Sequence, residues 1–382
     1  MGRSVLPNPL TGSAKSVFRA LAKSAPSTRP VLGAELGLSR PTMSAAIAEL
    51  EKQKLVELVG EVQGAVGRKA SKYRVGPGAG HVLAIDAGST HIRLRLSTLD
   101  RRLLHSRVYK LASSQQQLSA EISLAVADEV AEAIRETRPE WGPLRSLGIA
   151  LPSRVVGKDG DVGSTGQNQI FSHFAPPPGV RVVMENNVNC AAVAEQIHGC
   201  AKGYDTFAFI QIGLKIGLGI VVSNQLVRGR NGSAGEIGHL TYPFAPGVAP
   251  EPGAIERYMG AEAFLGRVRT EWPSHAGAPP ADTAELLSLA ASGEKVAAGF
   301  VEQHATDIGR LVATCISVID PGLVVLGGGL GASPQLLPGV QKEADRLAYP
   351  AKIVCSSLAS DATVLGIESL AIEDALSSIL AA

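Results

Sequence analysis

Four polar side chains, Asn186, Glu236, His239 and Glu256, stand in stretches otherwise built from glycine and apolar residues. Such groups are costly to bury unless something hydrogen-bonds them. A bound polyol supplies those partners, and water does so less specifically. The first of the four belongs to Val182-Val183-Met184-Glu185-Asn186-Asn187-Val188-Asn189. Here a short apolar strand is predicted to end in polar residues and to pass into a helix of small residues. Asn187 follows at once. An amide donates and accepts hydrogen bonds but has no lone pair that is basic near neutral pH. This position can bind a hydroxyl, but it cannot take the proton from one.

Glycine turns must position these groups. Val82 to Asp86 reads as a buried strand, Ala87-Gly88-Ser89-Thr90 as a tight turn, and His91 to Ser97 as the return strand. A hairpin with Asp86, Gly88 and Thr90 at its tip can cradle phosphate and magnesium, although a plain hairpin is the commoner explanation of such a sequence. Ile212 to Ile220 forms a second hairpin of this kind, and Leu326-Gly327-Gly328-Gly329 closes a third strand with a glycine turn. Three strand–turn units in this order predict a two-lobed body with repeated α/β halves.

The first eighty residues differ in kind. They hold 12 Lys and Arg against 5 Glu, a surplus of seven that the remainder offsets to leave a net charge of +1. A basic piece on an acidic body suggests that only the first piece meets a polyanion. Ala14, Val17, Phe18, Leu21 and Ala22 mark one helical face, and Leu32 and Leu36 a second helix that ends at Gly37. Ser39 then suits an N-cap, with Pro41 in the first turn. In the third helix Met43, Ile47 and Leu50 face inward. Arg40, Thr42, Ser44, Ala45 and Ala48 face outward, and these mostly short side chains let a helix approach base edges. Leu55 to Val59 reads as a strand, followed by a glycine-punctuated basic hairpin with Arg68, Lys69 and Lys72. Three helices and a basic hairpin predict a winged helix-turn-helix, with Ser39, Arg40, Thr42 and Ser44 toward the major groove and Arg68, Lys69 and Lys72 on the wing.

A chain of 382 residues predicts two or three domains. The four cysteines have no metal-type spacing and read as reduced thiols in a cytoplasmic protein. No signal peptide is evident, and the apolar stretch from Thr206 to Ser223 is broken by Gln211, Lys215 and glycines, so no membrane span is expected.

Residues 10–380 resemble the ROK family (repressors, open reading frames and kinases). The most specific match is Ala234-Gly235-Glu236-Ile237-Gly238-His239, and Gly253-Ala254-Ile255-Glu256 fits the family's Gly-Cys-Leu-Glu. The resemblance implies that Asn186, Asn187, Glu236, His239 and Glu256 line a sugar pocket. It also implies that Asp86, Gly88 and Thr90 descend from the first phosphate motif. The departures point away from catalysis. Asn187 replaces the Asp that takes the sugar proton, Ser89 replaces a glycine, and Leu214-Lys215 replaces Thr-Gly. Family members often hold zinc through the motif's His and three cysteines. Here no cysteine lies between His239 and Glu256, so neither a metal nor another cofactor is expected.

The implied architecture is α/β. A winged helix-turn-helix over 1–76 and a linker over 77–81 precede a two-lobed actin/hexokinase-like (ribonuclease-H-like) body. Its first lobe covers 82–198 and is completed by a helix over 366–382; its second covers 199–365. The expected protein is a repressor that binds a double-stranded DNA operator as a homodimer or higher homo-oligomer and senses a small sugar-like effector. A residual sugar kinase carrying a DNA-binding domain, and a pseudokinase regulator that answers to no ligand, remain open as alternatives at this point.

Overall fold

The computed structural model describes residues 9–63, 69–88, 91–110, 120–156, 175–240, 249 and 251–381. Two compact units emerge. One holds Met1–Pro152, Gly166–Glu185 and Ile367–Ala382, and the other Ser153–Thr165 and Asn186–Gly366.

The first unit begins with α1 (Gly12–Ser24), β1 (Ser27–Thr28), α2 (Arg29–Leu36), α3 (Arg40–Lys52), β2 (Val56–Gln63) and β3 (Lys69–Val75). Thr11 caps α1, Gly37 in a left-handed conformation ends α2, and Ser39 caps α3. The Pro/Ser/Thr break after α1 is more than a break. Ser27 and Thr28 pair with Tyr73 and Lys72, which makes β1 the third strand of the wing sheet, in the order β1-β3-β2. Two residues show no periodicity, so a strand this short leaves no trace in a hydrophobic pattern.

The unit continues with β4 (His81–Ala87), β5 (His91–Thr98), β6 (Leu103–Lys110), α4 (Ala120–Arg135), β7 (Leu144–Leu151) and β8 (Arg181–Asn186), in a sheet of order β6-β5-β4-β7-β8. The second unit holds α5 (Asn187–Ile197), β9 (Phe207–Ile212), β10 (Ile216–Val222), β11 (Gln225–Leu226), α6 (Ala254–Met259), α7 (Ala261–Glu271), α8 (Thr283–Ala291), α9 (Lys295–Ile319), β12 (Leu323–Gly327), α10 (Leu337–Leu347) and β13 (Lys352–Cys355). Its sheet runs β11-β10-β9-β12-β13. A last helix, α11 (Ala362–Ala381), begins in the second unit and ends in the first.

The two larger sheets share one plan. In each, an antiparallel hairpin (β4 with β5, β9 with β10) is followed by a strand parallel to its first member, β7 or β12. This is the repeated α/β half that the glycine turns predict. The parallel strands are covered on both faces, so β4, β9 and β12 are apolar nearly throughout.

Residues 77–81, read from sequence as a linker, are folded into the first unit. Pro77–Ala79 is a 3-10 turn with Ala79 fully buried. Arg145 donates to the carbonyls of Gly78 at 2.8 Å and Ala79 at 3.1 Å. The backbones pass so closely that a Cβ on Gly142 would lie 1.7 Å from the Pro77 carbonyl oxygen. The winged helix and the body share one core here, where Phe18, Leu21, Leu50 and Val75 join Ala371, Ile372, Ala375 and Leu376 of α11. Arg19 and Glu373 add an exposed ion pair at 4.0 Å, which contributes little by itself.

Candidate ligand site and nucleic-acid interface

Asn186 is the N-cap of α5. Its Oδ1 accepts from the backbone N–H groups of Val188 at 2.8 Å and Asn189 at 3.3 Å, and its Nδ2 donates to the Ser153 carbonyl at 3.2 Å. The side-chain oxygen expected to meet a ligand therefore holds the helix start. Asn187 is the first residue of α5 and half-buried, and its side-chain amide has no hydrogen-bond partner among the described residues. Strand β10 packs tightly on α5. A Cβ on Gly217 would come within 2.8 Å of Val188, and one on Gly219 within 2.7 Å of the Ala192 methyl.

The Ala234–His239 motif follows this hairpin. Gly235 has φ +86°, and a Cβ there would lie 1.8 Å from the Leu218 carbonyl oxygen, so only glycine fits. Its own carbonyl accepts from Leu218 N–H at 3.0 Å, which pins the motif to β10. Ile237–His239 form a 3-10 turn with Ile237 in the core. Gly238 leaves room for Glu256 in the first turn of α6; a Cβ at Gly238 would sit 3.5 Å from Oε2 of Glu256.

Glu236 is half-buried, and loss of water pushes its carboxyl above the usual carboxylate range. His239, Lys215 and Arg154 pull it down, while Glu256 pushes it up. The fold thus brings Glu236, His239 and Glu256 into one electrostatic neighbourhood and adds two cations to it. Lys215 sits in the β9–β10 turn, where the sequence shows only a bulky replacement. Arg154, which donates to the Asn231 carbonyl at 3.4 Å, carried no signal at all, because it reaches the group from a distant part of the chain. His239 is exposed. The arrangement offers two carboxylates, an imidazole and two cations, a set suited to binding adjacent hydroxyls.

In the first unit, Asp86 is the penultimate residue of β4, and burial pushes its carboxyl up to about 7 against the pull of Arg93. Arg93 lies beside it on β5, with Nη1 at 3.6 Å from Oδ2. Gly88 is tight, since a Cβ would lie 2.7 Å from the His91 carbonyl oxygen. Thr90, Ser89 and Arg68 lie outside the described residues, as does most of the proline-rich loop over 241–253. Cys190, Cys200, Cys315 and Cys355 form no disulfide.

Along α3, Arg40, Thr42, Ser44, Ala45 and Ala48 are exposed, and Met43, Ile47 and Leu50 are buried, as the spacing predicts. Ser39 is exposed but engaged. Its Oγ accepts from Thr42 N–H at 3.3 Å and lies 2.8 Å from the Thr42 hydroxyl. On the wing, Lys69 meets Glu61 at 3.4 Å and Arg74 meets Glu57 at 2.6 Å, so glutamates on β2 partly mask the basic strand. Lys72 is half-buried and has no ion pair among the described residues.

The fold and site define a winged helix joined to an actin/hexokinase-type body with a cluster of polar and charged groups. Residues 82–374 match the ROK family, and residues 8–65 match the MarR family. The chain belongs to the ROK family. It is 25% identical to the xylose repressor of Bacillus spizizenii over 94% of both chains. It is 27% identical to a glucokinase of Thermotoga maritima over 53% of this chain and 69% of that one. Among solved structures, a ROK family transcriptional regulator homologous to the E. coli MLC protein superposes with TM-score 0.72 at 21% identity, covering 97% of this chain and 98% of that one. A ROK glucokinase from Streptomyces griseus, solved with glucose and AMPPNP, superposes with TM-score 0.62 at 23% identity over 77% of this chain and all of its own.

Proposed function

We propose that this chain is a DNA-binding transcriptional repressor whose kinase-like body binds a sugar without phosphorylating it. The observation that carries the reading is the grouping of Glu236, His239 and Glu256; at the start of α5, Asn187 supplies an amide where the resemblance asks for a base. Binding groups are kept and the proton acceptor is absent. Two further features support a non-catalytic body. Asp86 is engaged by Arg93 rather than left open toward a metal–phosphate group. Lys215 stands in the second hairpin turn, where the resemblance asks for glycine, and its charge acts on Glu236.

DNA recognition falls to the exposed face of α3 and to the wing. A homodimer would place two such helices on the half-sites of a palindrome, which raises both affinity and specificity. The relatives named as xylose repressors match this chain end to end, so xylose is the first effector to test and glucose the second. Among the described residues no helix is long and apolar enough to cross a membrane, and the protein acts in the cytoplasm, where its operator lies.

The test is a mobility-shift assay on a duplex selected from random sequence by the full-length protein. Added xylose or glucose should change the DNA affinity, and ATP with either sugar should yield no sugar phosphate. Steady phosphorylation would establish the kinase alternative. DNA affinity indifferent to every pentose and hexose would establish the ligand-independent one.

A further inference from the structure

The second unit holds a separate cavity of about 460 Å³ between α7 and the first half of α9. Phe264 and Phe300 line it, with Tyr258 and Arg267 on one side and Lys295 and His304 on the other. None of these residues belongs to the Glu236–Glu256 group. The volume suits a one- or two-ring molecule.

His304 is 1% exposed, and neither ring nitrogen has a hydrogen-bond partner among the described residues. Its ring lies flat on Phe264, with centroids 3.9 Å apart and planes 9° from parallel. Burial, helped by Arg267, pushes its pKa down to about 3, so the ring is neutral and offers one N–H and one lone pair. A buried imidazole with both nitrogens unused, in the wall of a cavity, is a costly arrangement that a ligand would relieve. Gly299 lies on the cavity side of α9, and nothing comes within 4 Å of a Cβ built there, so the space above it is open.

Charge selects the ligand. Asp307 also lines the cavity, but its carboxylate accepts from Tyr258 Oη at 2.9 Å, Gln303 Nε2 at 3.2 Å and Arg310 Nη1 at 3.0 Å. Among the described lining residues, that leaves Arg267 and Lys295 against Glu271. The Arg267 guanidinium lies 3.9 Å over the Tyr258 ring and donates to the Tyr258 carbonyl, a cation held in place at the cavity wall. A positively charged ring compound would meet two like charges. The geometry points to a second ligand site, distinct from the sugar-sensing group, that takes a planar aromatic monocarboxylate: ring against Phe264 and Phe300, carboxylate toward Lys295 and Arg267, and a ring substituent bonded to His304.

The probe is para-hydroxybenzoate, titrated calorimetrically into the full-length protein. One molecule should bind per chain. The uncharged para-hydroxybenzamide should bind at least about tenfold more weakly, since it forgoes a charge-assisted contact. Gly299→Leu fills the open space at a position where nothing is displaced. It should abolish binding while keeping the melting temperature, and Lys295→Gln should weaken it. Glu256→Ala should leave binding intact. The assignment is overturned if the native protein gives no binding heat at millimolar ligand, if Gly299→Leu binds as well as native, or if Glu256→Ala loses binding. Equal affinity for acid and amide overturns it too.

Discussion

Arg93 Nη1 lies 3.6 Å from Asp86 Oδ2, on neighbouring strands of the first unit's sheet. Burial raises Asp86 from 3.8 to about 7, more than Arg93 lowers it. Between those values the folded protein holds a proton that the unfolded chain has released. Stability from this group is therefore full below the lower value and falls as pH climbs toward the upper one. Asp86→Asn should remove that slope. The native-minus-variant difference in urea-unfolding free energy should shift by on the order of 2–4 kcal/mol between about pH 4 and pH 8. A pH-independent difference would mean that Asp86 stays ionised in the folded state.

The wing should contribute non-specific DNA affinity. Lys69 is exposed and only loosely held by Glu61, and Lys72 lies in the same strand. Lys69→Ala with Lys72→Ala should weaken binding to all duplexes alike and lower the slope of log affinity against log salt by about one to two units. An unchanged slope would remove the wing from the interface.

The proposed sensor group should depend on one backbone position and one carboxylate. Gly235→Ala would push a methyl into the Leu218 carbonyl at positive φ, so it should destabilise the second unit and lower the melting temperature. Glu256→Ala should leave folding and ligand-free DNA binding intact, and raise the sugar concentration needed for a response by about tenfold or more. Normal sugar response in Glu256→Ala would separate this residue from the pocket.

Restoring the acid should not restore an enzyme. Asn187→Asp supplies a base, but Lys215 still stands in the second turn and Arg93 still pairs with Asp86. A coupled assay with ATP and hexoses should show no turnover above background. Turnover in this variant alone would make Asn187 the sole barrier to catalysis.

The winged helix should be unstable without α11. Leu376→Ala removes a side chain that is 5% exposed in the shared core and should cost about 2–5 kcal/mol. It should also weaken DNA binding, measured as lost operator affinity near the melting midpoint. Full DNA affinity in a fragment of residues 1–80 would show that the winged helix folds alone.

Local rules sufficed for much of this protein. The face of α3 was legible because Met43, Ile47 and Leu50 recur at helical spacing, and the ends of α2 and α3 because Gly37 and Ser39 are strong local signals. The repeated hairpins were legible because continuous apolar runs ending in glycine mark buried strands. The family motif was legible because a six-residue string has few accidental matches. Contacts between residues distant in sequence leave no such mark. Arg154 and Lys215 joined Glu236 only through folding, and Asn186 turned its oxygen to the helix it caps. The stretch over 77–81 looks like a linker because Pro and Gly set its local conformation, whereas Arg145 and α11, far along the chain, bury it. Sequence thus determined which groups are present, including an amide where a base would stand. Tertiary structure decided their neighbours, and with them each group's charge, exposure and freedom to meet a ligand.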